Sequence, residues 1–174
     1  QGEDNHYEGD IYEQKLQALA LSWRDAFQNA NLPIYVVGIP PYKYDLKYPY
    51  RLPVFTAAQL RFTQKDKNAG FIVTTDCGNA EDIHPTDKVP LANRLSNLVL
   101  YKEYQKGDDT VFSPLFKNVE LKKNVAVVSF DRPNGLKTAD GQAPTFFEVA
   151  GADGNFVAAE AKIAEDTTKV IAWF

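Results

Sequence analysis

No methionine occurs anywhere in this sequence, cysteine occurs once, as Cys77, and histidine twice, as His6 and His84. A single thiol excludes an internal disulfide and cannot by itself define a metal cluster, so neither a metal site nor a cofactor is expected. Positive charge is also short: 19 Lys and Arg stand against 23 Asp and Glu, a net charge of -4. Nothing in that balance draws the surface toward a polyanion, and nucleic acid is not an expected partner. Long apolar runs are missing too. Ile34 to Ile39 falls far below the roughly 18 consecutive apolar residues of a membrane span, so no membrane crossing is expected. There is no Asn-x-Ser/Thr sequon. The sequence starts at Gln1 with neither an initiator methionine nor a basic-then-apolar leader, which predicts that something upstream has been removed.

What is present is core-forming material. Hydrophobic residues make up 44% of the 174 positions, enough to exclude disorder and to allow one domain, or one plus a small second. From Ile11 to Ala30 the residues Tyr12, Leu16, Leu19, Trp23 and Phe27 recur at helical spacing, predicting one buried stripe on a long helix that ends at Asn31-Leu32-Pro33. Ile34 to Ile39 runs apolar without alternation, as in a parallel strand covered on both faces. A helix over about Val54 to Lys65 and a strand over Phe71 to Thr75 follow. Beyond the polar loop Asp76 to Pro85 comes a helix with Leu91, Leu95, Leu98 and Lys102 on one face, N-capped by Thr86 or Asp87, with Pro90 in its first turn.

The helix-strand-helix-strand-helix order predicts an α/β half with a parallel sheet over residues 1–107. Ligands of such sheets gather at the carboxyl ends of the strands, so the loop after Thr75 is a natural site. From residue 108 to 174 the pattern changes to short β-rich runs, at Val125 to Phe130, Phe146 to Val149, Phe156 to Ala161 and Lys169 to Phe174. Asn134-Gly135, Asp140-Gly141 and Asp153-Gly154 punctuate them, predicting a small antiparallel, sandwich-like β domain.

His84 lies in that loop within Asn79-Ala80-Glu81-Asp82-Ile83-His84-Pro85. A histidine near neutrality can act as general base, with Asp82 or Glu81 fixing its tautomer, or it can be a solvated or helix-capping loop residue. Gln1-Gly2-Glu3-Asp4-Asn5 combines amide, carboxylate and glycine, a source of oxyanion donors or a frayed terminus, with His6 read as an exposed terminal residue. Pro40 to Pro53 interleaves Tyr42, Tyr44, Tyr48 and Tyr50 with Lys43, Lys47 and Arg51. Its rings either stack on sugars or pack on one another as an ordered surface loop. Cys77 has no electropositive helper in its sequence neighbourhood and reads as a small buried thiol. Ser22 and Ser96 fall in predicted helices, Ser129 in a strand, and Ser113 precedes a proline. None sits on a glycine-flanked turn that would expose a nucleophile.

Taken together, these segments resemble the carboxyl-terminal portion of the sialate O-acetylesterase family, carbohydrate esterases of the SGNH-hydrolase superfamily. Gln1-Gly2-Glu3-Asp4-Asn5 is similar to that family's Gln-Gly-Glu-Ser-Asn, Leu32-Pro33-Ile34-Tyr35-Val36-Val37 to its Leu-Pro-Phe-Tyr-Phe-Val strand, and Ala58-Gln59-Leu60 to its Arg-Glu-Ala-Gln-Leu helix, with Thr56 and Ala57 standing where the family has Arg and Glu. Trp23-Arg24 resembles the family's Trp-Arg near the end of the helix that follows the first block, and Phe147-Glu148-Val149-Ala150-Gly151 its Phe-Glu-Ile-Ala-Gly. Most specific is Asp82-Ile83-His84-Pro85-Thr86-Asp87-Lys88 ahead of Arg94-Leu95, which resembles Asp-Ile-His-Pro-x-Asn-Lys followed by Gly-x-Arg-Leu.

The resemblance implies a flavodoxin-like SGNH core that hydrolyses acetyl esters on sugars by a Ser-His mechanism without a cofactor. His84 would be the base and Asp82 or Glu81 its orienter, with Gln1, Gly2, Glu3 and Asn5 lining the site. Tyr42 and Tyr44 would contact substrate. The nucleophilic serine would come from an amino-terminal companion segment or chain, leaving this chain inactive alone. A secreted, periplasmic or lysosomal location is implied by the resemblance only. A non-catalytic carbohydrate-binding or structural fragment is the alternative expectation.

Overall fold

Phe55, Ala58, Gln59 and Phe62 fall three and four residues apart, and this spacing aligns them along one side of a helix. In a computed structural model, which describes residues 2–44, 50–133 and 135–174, all four are buried on helix α2, Arg51–Lys65. They meet Tyr12, Leu16 and Ala20 of α1, Tyr12–Ala26, whose ring contact Tyr12–Phe55 has centroids 4.2 Å apart. Between these helices and α3, Val89–Tyr104, lie two short strands, β1 (Ile34–Val37) and β2 (Ala69–Ile72), paired in parallel with Ile34 opposite Ala69 and Val37 opposite Ile72. Ile34, Val36, Ala69 and Ile72 are buried, so the sheet and α2 share one core.

The helices and strands of this half depart from the expected pattern at three points. Tyr12 and Leu16 are buried as the helical stripe predicts, but Leu19, Trp23 and Phe27 are 41%, 47% and 70% exposed. Tyr12, Leu16 and Ala20 hold the side facing α2. At about 100° per residue Leu19 and Trp23 lie within about 20° of Tyr12, so one azimuth carries both packed and exposed residues, and Phe27 follows the helix as its C-cap. Likewise β1 is buried on one face only: Tyr35 and Val37 are half-buried, with Tyr35 Oη donating to Glu103 Oε1 at 2.5 Å. The third helix starts at Val89 with Lys88 as its N-cap. Asp87 Oδ1 nonetheless accepts the Val89 amide at 3.0 Å, and Pro90 sits in the first turn where an amide hydrogen has no intrahelical acceptor.

The amino ends of both strands are tied by one charged group. Arg24 forks both oxygens of Asp66 at 2.6 and 3.1 Å while its Nε donates to the Leu32 carbonyl at 3.1 Å. Asp66 also accepts the Asn68 amide at 2.9 Å. Burial, the largest single influence, raises the Asp66 pKa, but the Arg24 hydrogen bonds, the Asn68 amide and the charges of Arg24 and Lys102 together outweigh it, and the net direction is down.

The chain divides into two compact units, Gln1–Asp108 and Asp109–Phe174. The second holds a four-stranded antiparallel sheet in the order β3 (Leu115–Lys122), β4 (Val125–Asp131), β8 (Lys169–Trp173), β7 (Glu160–Ile163), and a hairpin of β5 (Glu148–Ala150) and β6 (Phe156–Ala158). Phe147 and Val149 pack with Leu136 on Ala161, Val170 and Ala172. Strand β3 is absent from the sequence reading for a physical reason. A bulge at Lys117 breaks the two-residue period, and it is this bulge that returns Phe116, opposite Phe130, to the same face as Val119 and Leu121. The single run read over Phe156 to Ala161 breaks at Ala159, whose amide goes to the Phe147 carbonyl at 2.8 Å, and becomes β6 and β7 in different sheets. Asp153-Gly154 makes the β5–β6 turn with Gly154 at φ +72°. Asn134 lies outside the described residues.

Among the described residues no helix is long and apolar enough to cross a membrane. Phe55→Ala is expected to lower the free energy of unfolding by about 3–5 kcal/mol, the usual cost of emptying a core aromatic site, whereas Phe27→Ala stays within about 0.5 kcal/mol. Urea denaturation of the two variants checks both values, and equal losses would contradict the division into packed and exposed positions.

Candidate active site

Because β1 and β2 run in parallel, their carboxyl ends open on the same side and the chains leaving them meet. Thr74, buried, donates its hydroxyl to the Gly38 carbonyl at 2.9 Å, stitching the two exits together. Further out, the Lys43 amide donates to the Ala80 carbonyl at 3.3 Å, and Gly78 packs so closely on Pro41 that a Cβ there would overlap the Pro41 carbonyl. The tyrosine-bearing segment 40–44 and the His84 loop are thus neighbours. Tyr48 and Lys47 lie outside the described residues, as does Gln1.

The His84 loop is built from short polar turns. Asn79 Oδ1 accepts the Glu81 amide at 2.9 Å, and Asp82 Oδ1 accepts the His84 amide at 2.8 Å. This is the local bonding by which Asn and Asp hold a non-helical turn. It brings the Asp82 carboxylate to 3.8 Å from His84 Nδ1, on an imidazole whose side chain is 89% exposed. Glu81 turns elsewhere, with Oε1 4.0 Å from Lys43 Nζ. Of the two sequence candidates, Asp82 is the carboxylate beside the ring.

The amino-terminal block faces the same region. Glu3, Asp4 and Asn5 form a 3-10 turn entered through Gly2 at φ +91°, where a side chain would be strained and would overlap the Tyr12 hydroxyl. Glu3 is half-buried. Burial raises its pKa, and the positive charges available on His6 and His84 oppose that rise, which sets Glu3 within electrostatic reach of His84. Tyr44 Oη donates to Glu3 Oε1, and the Tyr44 ring stacks on His6 with centroids 4.3 Å apart and planes 23° from parallel. His6 Nδ1 lies 3.1 Å from the Glu3 carbonyl oxygen. His6 is therefore half-buried and packed, not the exposed terminal residue expected. Tyr42 meets Tyr44 edge-on at 5.1 Å. Asn5 donates from Nδ2 to Glu8 Oε2 at 2.6 Å.

One pair at this end escaped the sequence reading. Arg94 of α3 forks Asp76 at 2.7 and 2.6 Å, donates to the Val73 carbonyl at 2.9 Å, and reaches Cys77 Sγ at 3.5 Å. The arginine that Cys77 lacked in sequence is supplied from 17 residues away. The thiol pKa nevertheless rises, by burial first and by the adjacent Asp76 charge next, which together exceed the pull of Arg94. Arg94 hydrogen bonding takes Asp76 down to about 2. No local signal marks such a pair, since it depends on α3 crossing the carboxyl end of β2. Among the described residues no group of His, Cys, Asp and Glu is arranged to hold a metal ion.

No protein-family profile matches this chain, and no curated protein does. Among solved structures, the crystal structure of a novel carbohydrate acetylesterase from Xanthomonas citri is similar over the whole chain, with a TM-score of 0.89 and 28% identity. The similarity covers 100% of this chain and 40% of that one, so this chain spans well under half the length of that protein.

The Asp76–Arg94 pair makes a pH-dependent contribution whose sign is fixed. A carboxyl held below its usual value of 3.8 stabilises the fold fully above that value, and the contribution fades as pH falls toward about 2. Acid titration of unfolding is expected to show this loss between about pH 4 and 2 and to flatten there in Asp76→Asn.

Proposed function

We propose that this chain is the carboxyl-terminal part of a carbohydrate acetylesterase, of the sialate O-acetylesterase type within the SGNH-hydrolase superfamily. The observation that carries the reading is the similarity, along the full chain, to a carbohydrate acetylesterase. Supporting it is a histidine with an adjacent carboxylate on the loop that follows a parallel strand, which is where α/β folds keep their reactive groups.

In this reading a serine outside the chain attacks the acetyl carbonyl carbon while His84 takes the serine proton. The tetrahedral oxyanion then collapses, the sugar oxygen leaves with the proton held by His84, and an acetyl-serine remains. Water, deprotonated by His84, adds to that acetyl group; acetate departs and the serine regains its proton. Asp82 stabilises the imidazolium formed in both halves, with Glu81 as the less direct carboxylate. Gln1, Gly2, Glu3 and Asn5 line the site, and the backbone and amide donors of this block serve the oxyanion. A secreted, periplasmic or lysosomal setting goes with the same reading.

In this reading an amino-terminal companion pairs with the open edges of the strand pair. Among the described residues β1 and β2 each pair along one edge only, and two parallel strands alone make a marginal sheet. The exposed Leu19, Trp23 and Phe27 add apolar surface of the kind that further elements cover.

The test is hydrolysis of an O-acetylated sugar by the longer protein that contains this chain, with the 174-residue chain alone as control. The chain alone is expected to be silent, and His84→Ala is expected to lower kcat/KM in the longer protein by about 10³-fold or more. Asp82→Asn is expected to cost more than Glu81→Gln. Full activity in His84→Ala would overturn the proposed mechanism, and an intact-mass spectrum of the native protein shows whether the serine arrives on the same chain or on a second one.

A further inference from the structure

Glu3 and Tyr44 form a unit that the Ser-His chemistry does not use. The Glu3 carboxyl is half-buried, its Oε1 accepts the Tyr44 hydroxyl, and among the described residues its Oε2 has no hydrogen-bond partner. Tyr44 is itself held on two sides, by His6 stacked at 4.3 Å and by Tyr42 edge-on at 5.1 Å. His6 closes the ring of contacts by lying against the Glu3 carbonyl oxygen, with its own amide donating to that same oxygen at 3.2 Å. One carboxyl oxygen is thus fixed in place and, among the described residues, the other is left open, on a group within electrostatic reach of His84. A restrained acceptor of this kind suits a neutral donor, because a half-buried carboxylate gains most from a hydrogen bond when water competes poorly for it.

Resting on the acetylesterase reading, we propose that Glu3 is a specificity-determining residue that accepts a hydrogen bond from a ring hydroxyl of the acetylated sugar, and that Tyr44 is the positioning residue that aims it. The geometry gives Tyr44 a role different from stacking on a sugar: its hydroxyl is committed to Glu3 and one ring face to His6. The substrate class that follows is a pyranose carrying a free hydroxyl near the ester, and simple acetates lacking one are poorer substrates.

The experiment compares a mono-O-acetylated hexopyranoside with 4-nitrophenyl acetate, using the longer protein and its Glu3→Gln and Tyr44→Phe variants. Glu3→Gln is expected to lower the ratio of kcat/KM for the sugar ester over the aryl ester by about tenfold, the size of one hydrogen bond to a charged group, with the loss carried by KM. Tyr44→Phe keeps the ring that His6 covers and is expected to shift the same ratio in the same direction by a smaller factor. An unchanged ratio in Glu3→Gln, or a loss carried equally by both esters, overturns the proposal while leaving the esterase reading in place. Failure of the wild-type protein to hydrolyse either ester overturns the esterase reading and this proposal with it.

Discussion

The parallel pairing of β1 with β2 is the constraint on which the candidate site depends. Antiparallel strands would send their exits to opposite sides, whereas parallel ones deliver both chains to one end. From that single fact follow the Thr74 to Gly38 hydrogen bond, the packing of Gly78 on Pro41, and the Lys43 to Ala80 bond. The opposite end of the same pair is closed by Arg24 and Asp66, so polar bonding holds both ends of a two-stranded sheet whose middle is apolar.

Carboxylates around the carboxyl end are tuned in opposite directions by their surroundings. Asp76 is gripped by Arg94 and pulled down, which keeps it charged and makes it a structural anchor for the start of the loop. Glu3 meets a tyrosine hydroxyl instead of an arginine, and its partial burial pushes it up. Asp82 spends one oxygen on the His84 amide, which fixes the turn and brings the carboxylate next to the imidazole. Three acidic groups within a short stretch of space therefore take three roles, decided by which donor each one meets.

Periodicity made much of the first unit legible. The order of helices and strands, the burial of Tyr12 and Leu16, and the parallel pair all follow from apolar spacing. Spacing did not separate the packed from the exposed residues of the α1 stripe, because a pattern shows which residues share an azimuth and not whether a neighbour reaches them. Bulged β3 was illegible for the complementary reason: an extra residue at Lys117 removes the alternation that identifies a strand. In the site, His84 and its nearby carboxylates stood out because they are adjacent in sequence. The Arg94–Asp76 fork and the Glu3–Tyr44–His6 cluster did not, since their members lie 18 and 41 residues apart.

By itself the sequence determined the α/β order, the place where the chain becomes β-rich, and the polar loop carrying His84, all of which rest on local rules of spacing and turn chemistry. Tertiary structure alone decided which carboxylate meets which donor. Hydrogen bonds and charge pairing act over a few ångströms of space, and only the folding of helices onto the strand pair brings such distant residues within that range.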